Sequence, residues 1–156
     1  FDEGSILTLG TGMSFAVPGK ITHGRYRFPA NPVGNYDFVL YEGSLTEDTG
    51  TLLVRKTFQP SDITSDAWST VELDVAIDVQ ADVPYYACVV TSAGRYVAKN
   101  GYFTDSKTSG NIYAWHSGET YLGAERFNGR FAASDSYPTL SFGYSSYFTD
   151  VVFEAA

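Results

Sequence analysis

The stretch Thr70–Val90 constrains the fold more than any other. In its first half Val71, Leu73, Val75, Ile77 and Val79 interleave with Thr70, Glu72, Asp74, Ala76 and Asp78. A repeat of two puts the apolar side chains on one face and the polar ones on the other, so this half reads as a strand with one buried face and one wet face. The second half, Val83-Pro-Tyr-Tyr-Ala-Cys-Val-Val90, is a continuous apolar run, which suits a strand covered on both faces. Gln80-Ala-Asp82 is the turn between them. Pro84 has no N–H to give a ladder and belongs at the start of the second strand. The pair predicts two core strands of a sandwich, with neighbouring Trp68 in the core.

The rest of the chain is punctuated in the same way. Short strands are expected at Ile6–Leu9 and Met13–Val17, split by Gly10-Thr-Gly12, with a turn at Pro18-Gly19. In Lys20–Phe28 neither alternate face is cleanly apolar: Ile21, His23, Arg25 and Arg27 fall on one, Thr22, Gly24, Tyr26 and Phe28 on the other. That pattern reads as an edge strand or one bordering a groove. Tyr36–Tyr41 and Thr51–Phe58 flank a long hairpin loop, Glu42–Gly50. Gln59–Ala67 has room for one helical turn, Arg95–Ala98 and Gly101–Phe103 read as a short hairpin, and Phe148–Phe153 as a closing strand.

No helix-period run of ten residues occurs. Strands and turns recur every 8–12 residues or so, which argues an all-β, antiparallel, jelly-roll-like β-sandwich in which the two sheets hide most strand edges. The 156 residues are enough for one domain, 1–156, with a real core. Because the chain begins at Phe1 and not at Met, it is expected to be a processed product, an excised domain or the ordered part of a longer chain.

Between Thr104 and Tyr147 the character changes. Ile112, Leu122 and Leu140 are the only branched aliphatics, while Tyr113, Trp115, Tyr121, Phe127, Phe131, Tyr137, Phe142, Tyr144 and Tyr147 stand among Gly, Ser, Asn and Asp. This C-terminal third reads as long aromatic-rich loops, and loops of that length in a compact domain tend to carry function.

Charge narrows the function classes. The formal net charge is −8 and no Lys/Arg cluster is visible in the sequence, so nucleic acid and anionic membrane surfaces are not expected as partners. No apolar run approaches the ~20 residues of a membrane span, so membrane insertion is not expected. The single cysteine, Cys88, excludes an intrachain disulfide and reads as a buried thiol acting as a small hydrophobe.

Catalytic chemistry has little to stand on. His23 and His116 lack partners at zinc-ligand spacing, no Gly-x-Ser-x-Gly elbow is present, and Gly10-x-Gly12 leads into a strand where a dinucleotide loop needs a helix. The expectation is a protein that is not an enzyme and needs no cofactor. Calcium is the candidate ion, with Glu42, Glu47, Asp48 and Asp105 as hard oxygen ligands, although no calcium-loop motif is present. The aromatic loops are the better site. Sugar rings stack their C–H faces on Trp and Tyr while neighbouring polar groups bond the hydroxyls, and Tyr113, Trp115, His116, Tyr121, Asn128 and Arg130 would make such a glycan surface. The plainer reading is that these rings fold back to plug the ends of the sandwich.

An ordered set of marks adds a resemblance. Gly19-Lys-Ile-Thr-His-Gly-Arg-Tyr-Arg-Phe28 is followed by Phe38-Val-Leu-Tyr41, Leu52–Phe58, Trp68-Ser-Thr-Val71 and Ala81-Asp-Val-Pro-Tyr85 running to Val89. Gly94-Arg-Tyr96, Gly101-Tyr-Phe103 and Phe148-Thr-Asp-Val-Val-Phe153 complete the series. Together they resemble an uncharacterised β-sandwich domain family found in secreted actinobacterial multidomain proteins and in minor tail proteins of actinobacterial phages. The chain departs from that pattern at Ala67, where the family has Gly, at His23-Gly24-Arg25-Tyr26, and in the Gly43–Gly50 loop.

The resemblance implies an exterior, non-catalytic module on a secreted protein or virion surface, and it supplies no catalytic residues. The expected role is structural or adhesive, of phage tail or capsid exterior type. Its expected partners are cell-surface carbohydrate or neighbouring subunits, with an oligomer compatible. A carbohydrate-binding module of a secreted polysaccharide-active enzyme is the first alternative. A small jelly-roll hydrolase using Glu42, Glu119 or Glu125 is the second.

Overall fold

The computed structural model describes residues 5–156. Six longer strands come first: Leu7–Phe15 (β1), Gly19–Arg27 (β2), Tyr36–Gly43 (β3), Gly50–Thr57 (β4), Trp68–Val79 (β5) and Tyr85–Thr91 (β6). Six short ones follow: Lys107–Ser109 (β7), Ile112–Ala114 (β8), Glu119–Tyr121 (β9), Ala124–Arg126 (β10), Arg130–Ala132 (β11) and Leu140–Ser141 (β12). Thr149–Ala155 (β13) closes the chain. Single 3-10 turns lie at Pro60–Asp62, where one helical turn was expected, and at Tyr102–Thr104. Among the described residues no helix is long and apolar enough to cross a membrane.

The expected antiparallel sandwich is what forms. The larger sheet runs β12-β11-β1-β6-β3-β4, with β8 also pairing β1 and β7 pairing β8; the smaller runs β13-β2-β5. The two halves of the Thr70–Val90 stretch therefore lie in different sheets. β6 is central, and all seven of its residues are buried. Tyr85, Ala87 and Val89 face the inter-sheet core with Phe15, Tyr26, Phe28, Phe38, Leu40 and Val71. Tyr86, Cys88 and Val90 face the other way, into a second core with Val39, Tyr41 and Trp115. The continuous apolar run is thus explained: the C-terminal excursion roofs the outer face of the large sheet. Burial raises the pKa of the Cys88 thiol, as expected of an inert hydrophobe.

Several local expectations are corrected. β2 is the middle strand of its sheet and not an edge. A register shift between Ile21 and His23 brings Ile21 onto the same inward face as Gly24, Tyr26 and Phe28, all buried, and turns His23, Arg25 and Arg27 outward. Opposite it, β5 carries four residues, Leu73–Ala76, between its paired positions Glu72 and Ile77, and Val75 is thrown out to 73% exposure. β1 is one continuous strand, its glycines serving close approach: a Cβ on Gly12 would stand 2.2 Å from the Trp115 ring. Residues 95–98 form no strand; the segment is tied down by Lys99 pairing Ser146. Trp68, expected in the core, is 41% exposed.

Candidate functional site

The six residues expected to form a glycan surface come together, with most of their polar atoms turned inward. Trp115 is 0% exposed, edge-to-face on Tyr86 at 5.7 Å, and its indole N–H donates to the Phe127 carbonyl at 2.8 Å. It cannot stack on a sugar in this arrangement. Tyr113 and Tyr121 are half-buried beside it. The Tyr113 hydroxyl donates to the Glu119 carboxylate at 2.7 and 2.8 Å, and the Tyr121 hydroxyl bonds Ser14 Oγ at 2.7 Å. His116 has its Nδ1 3.1 Å from the Ser117 carbonyl.

Asn128 is fully enclosed and acts as a piece of backbone. The far edge of β1 pairs β11 at Thr8–Gly10 and β8 at Ser14–Phe15, which leaves a gap in the ladder. The Asn128 carboxamide fills it, accepting from Gly12 N and donating to Gly12 O, both at 2.8 Å. Its Nδ2 also donates to the Trp115 carbonyl, and its Oδ1 accepts from Gly129 N. Arg130, 7% exposed, lies 5.9 Å over the Tyr86 ring and makes a two-point pair with Asp48 at 2.6 and 2.9 Å. That pairing also bears on the calcium ligands. Asp48 is engaged by a guanidinium, and the described residues hold no group of three or more His, Cys, Asp or Glu arranged for a metal ion.

The accessible aromatic site lies elsewhere. One side of the sandwich is closed where edge strands β4 and β5 meet, bridged by Lys56 and Asp74 at 2.6 Å. On the opposite side, between the start of β13 and the β7–β8 hairpin, a cleft of about 310 Å³ stays open. Trp68, Tyr102 and Phe148 wall it, Thr11 and Met13 line it from β1, and Lys107, Thr108, Ser109 and Asp150 supply polar groups. Phe148 meets Trp68 edge-to-face at 6.3 Å and Tyr102 at 5.4 Å. Trp68 and Phe148 also line a second hollow of about 410 Å³ with Arg27, Val97, Ala98 and Lys99. The two rings thus form a ridge with a hollow on either side.

Local chemistry explains the ridge. Trp68 shares the parity of Thr70 and Glu72, the wet face of β5, and its ring is covered on one face by the Arg25 guanidinium at 4.9 Å. That parity was the signal in the sequence that places Trp68 outside. Phe148 has φ of +57°, a left-handed conformation costing a non-glycine residue about 1 kcal/mol or more. The conformation is held by Arg27 N donating to Phe148 O at 3.0 Å and by Phe148 N donating to Ser146 Oγ at 3.1 Å. Arg25 also pairs Asp150 at 3.4 Å. Burial raises the Asp150 carboxyl above its ordinary 3.8, against the opposing pull of the Val151 N–H and of Arg25.

A family model described as a domain of unknown function (DUF4082) matches residues 1–149. The chain belongs to that family. No curated protein and no solved structure matches it. Most of the ridge lies inside the matched segment: Trp68, Tyr102, Lys107 and Phe148 fall within it, and Asp150 just beyond.

Proposed function

We propose that this DUF4082 domain is a non-catalytic module carried on the outside of a secreted protein or virion, and that its Trp68–Phe148 ridge binds saccharide. The observation that carries the reading is the ridge itself: an exposed tryptophan with an aromatic neighbour, bordered by two hollows that hold hydroxyls, cations and one carboxylate. Flat C–H faces stack on such rings while ring hydroxyls bond the polar rim. The resemblance to domains of secreted actinobacterial proteins and phage tails supports the exterior location. A carbohydrate-binding module of a polysaccharide-active enzyme would use the same ridge, and a catalytic domain in the same gene would favour that version.

The test is binding of the purified domain to intact actinobacterial cells and to extracted envelope polysaccharides. Saturable binding is expected, lost in Trp68→Ala and kept in Phe142→Ala, whose ring lies outside both hollows. Binding that survives Trp68→Ala would retire the ridge.

A structural role beside neighbouring subunits has its own observation. Leu140, Phe142 and Tyr144 are exposed, Phe142 by 66%, and a groove lined by Leu7, Tyr96, Phe131 and Phe142 runs beside the edge strand β12. Sedimentation of the wild type and of Phe142→Ser checks it. A shared monomeric mass in both would count against self-association through this face.

A further inference from the structure

We infer that the saccharide held at the ridge is acidic, a polymer bearing carboxylate or phosphate groups; this rests on the reading of the ridge as a saccharide site. The chain as a whole is strongly anionic, with 18 Asp and Glu against 10 Lys and Arg. Away from the ridge, the cations are mostly consumed one by one. Lys20 pairs Asp78, Arg55 pairs Asp37 and Asp135, Lys56 pairs Asp74, and Arg130 pairs Asp48. Arg126 donates to the carbonyls of Tyr121 and Leu122.

Four of the ten cations border the ridge: Arg25, Arg27, Lys99 and Lys107. Two carboxylates answer two of them, Asp150 with Arg25 and Asp66 with Arg27. Lys99 and Lys107 are exposed, and among the described residues neither takes part in an ion pair. They stand on opposite sides of the ridge, Lys107 lining the first hollow and Lys99 the second. Both residues are tethered at the ridge, Lys107 by its ammonium and Lys99 by its backbone. Lys107 Nζ lies 4.9 Å over the Tyr102 ring, and the Lys99 backbone exchanges two hydrogen bonds with Ser146, both at 3.0 Å.

A cation without a carboxylate partner on each flank of an aromatic platform, in a domain that otherwise repels anions, fits a chain that stacks a sugar ring on the ridge and sets an anionic group on either side. A neutral glycan would leave both ammonium groups without a counter-charge. The surrounding negative charge would also hold off anions lacking a ring to stack.

The experiment follows the fluorescence of Trp68, the exposed tryptophan, while the whole domain is titrated with four polymers. These are polygalacturonate, a phosphomannan, a neutral β-glucan and polyglutamate. Wild type, Trp68→Ala and the double variant Lys99→Ala/Lys107→Ala are compared by cell-free pull-down with each polymer, after thermal melts show that all three are folded. The expected result is binding of at least one acidic polysaccharide, weakened about tenfold or more in the double variant and by added salt, and lost in Trp68→Ala. The neutral glucan and polyglutamate should bind far more weakly.

Equal binding of the neutral glucan, unaffected in the lysine variant, overturns the acidic ligand and leaves the saccharide site standing. Polyglutamate binding that ignores Trp68→Ala shows simple ion exchange and overturns the inference. Binding of no polymer removes the acidic ligand and the ridge site together.

Discussion

The molecule's two tryptophans occupy opposite environments on the same β scaffold. Trp115 is roofed over the outer face of the large sheet, with its N–H satisfied by Phe127 and its ring against Tyr86 and the bare backbone of Gly12. Trp68 stands on the wet face of the small sheet, held by Arg25 over one face of its ring and by Phe148 at its edge. The first region shows what aromatic residues do when a sheet has a second apolar face to cover: they become core. The second shows what remains when that demand is met elsewhere, a ring kept at the surface by one guanidinium with part of its area free. An aromatic residue in this fold is therefore assigned by which sheet face it serves, and its position in a loop decides little.

The largest expected effect tests the roof. Trp115→Ala should cost about 3–5 kcal/mol, the usual range for emptying a buried large aromatic site. Trp68→Ala should cost no more than about 1 kcal/mol, an exposed cation–π contact and some packing. Urea denaturation of the two variants reads the contrast, and similar losses in both would break the comparison. Next, Asn128→Ala should cost roughly 2–4 kcal/mol, because the N–H and C=O of Gly12 lose their partner inside the protein. A near-neutral Asn128→Ala would mean that β1 closes its own gap and that the roof is not pinned there.

A smaller effect of opposite sign belongs to the inter-sheet core. The Tyr26 hydroxyl is buried with no hydrogen-bond partner among the described residues, amid Phe28 and Tyr36. Tyr26→Phe should raise stability by about 1 kcal/mol, since it removes an unpaired polar atom and keeps the ring. A loss of stability would show that the hydroxyl has a partner after all.

How far the sequence reaches follows from the same contrast. The β6 run was legible as a strand covered twice, and that reading already implied a roof. The segment rich in aromatics and poor in aliphatics was there to supply it, so the burial of Trp115 was implicit in Tyr85–Val90 and not in its own neighbourhood. The outward position of Trp68 was written in its parity with Thr70 and Glu72. What could not be read were the irregularities. The register shift near Ile21 and the four-residue excursion at Leu73–Ala76 change which side chains point inward, and both depend on two strands meeting. Asn128 was equally opaque, because its role is to complete a ladder between residues 116 positions apart. The cleft depends on Lys107, Phe148 and Trp68 converging from three separate segments, which no local pattern announces.

The smallest effect sharpens the surface half of the comparison. Asp150 shares Arg25 with Trp68, and burial raises its carboxyl above 3.8 despite that guanidinium. A carboxyl with a raised folded pKa binds protons more readily folded than unfolded. Its contribution to stability is full below 3.8 and is lost as pH rises through the folded value. Wild type should therefore lose stability relative to Asp150→Asn as pH climbs from about 4, and the difference should level off once the folded carboxyl is ionised. Denaturation midpoints of the two proteins across that range measure it. A wild type that gains on the variant over the same climb would mean that Arg25 outweighs burial. Arg25 would then be anchored mainly by Asp150, and the cation over Trp68 would be held in place by an ion pair, with less freedom to turn toward an incoming anion.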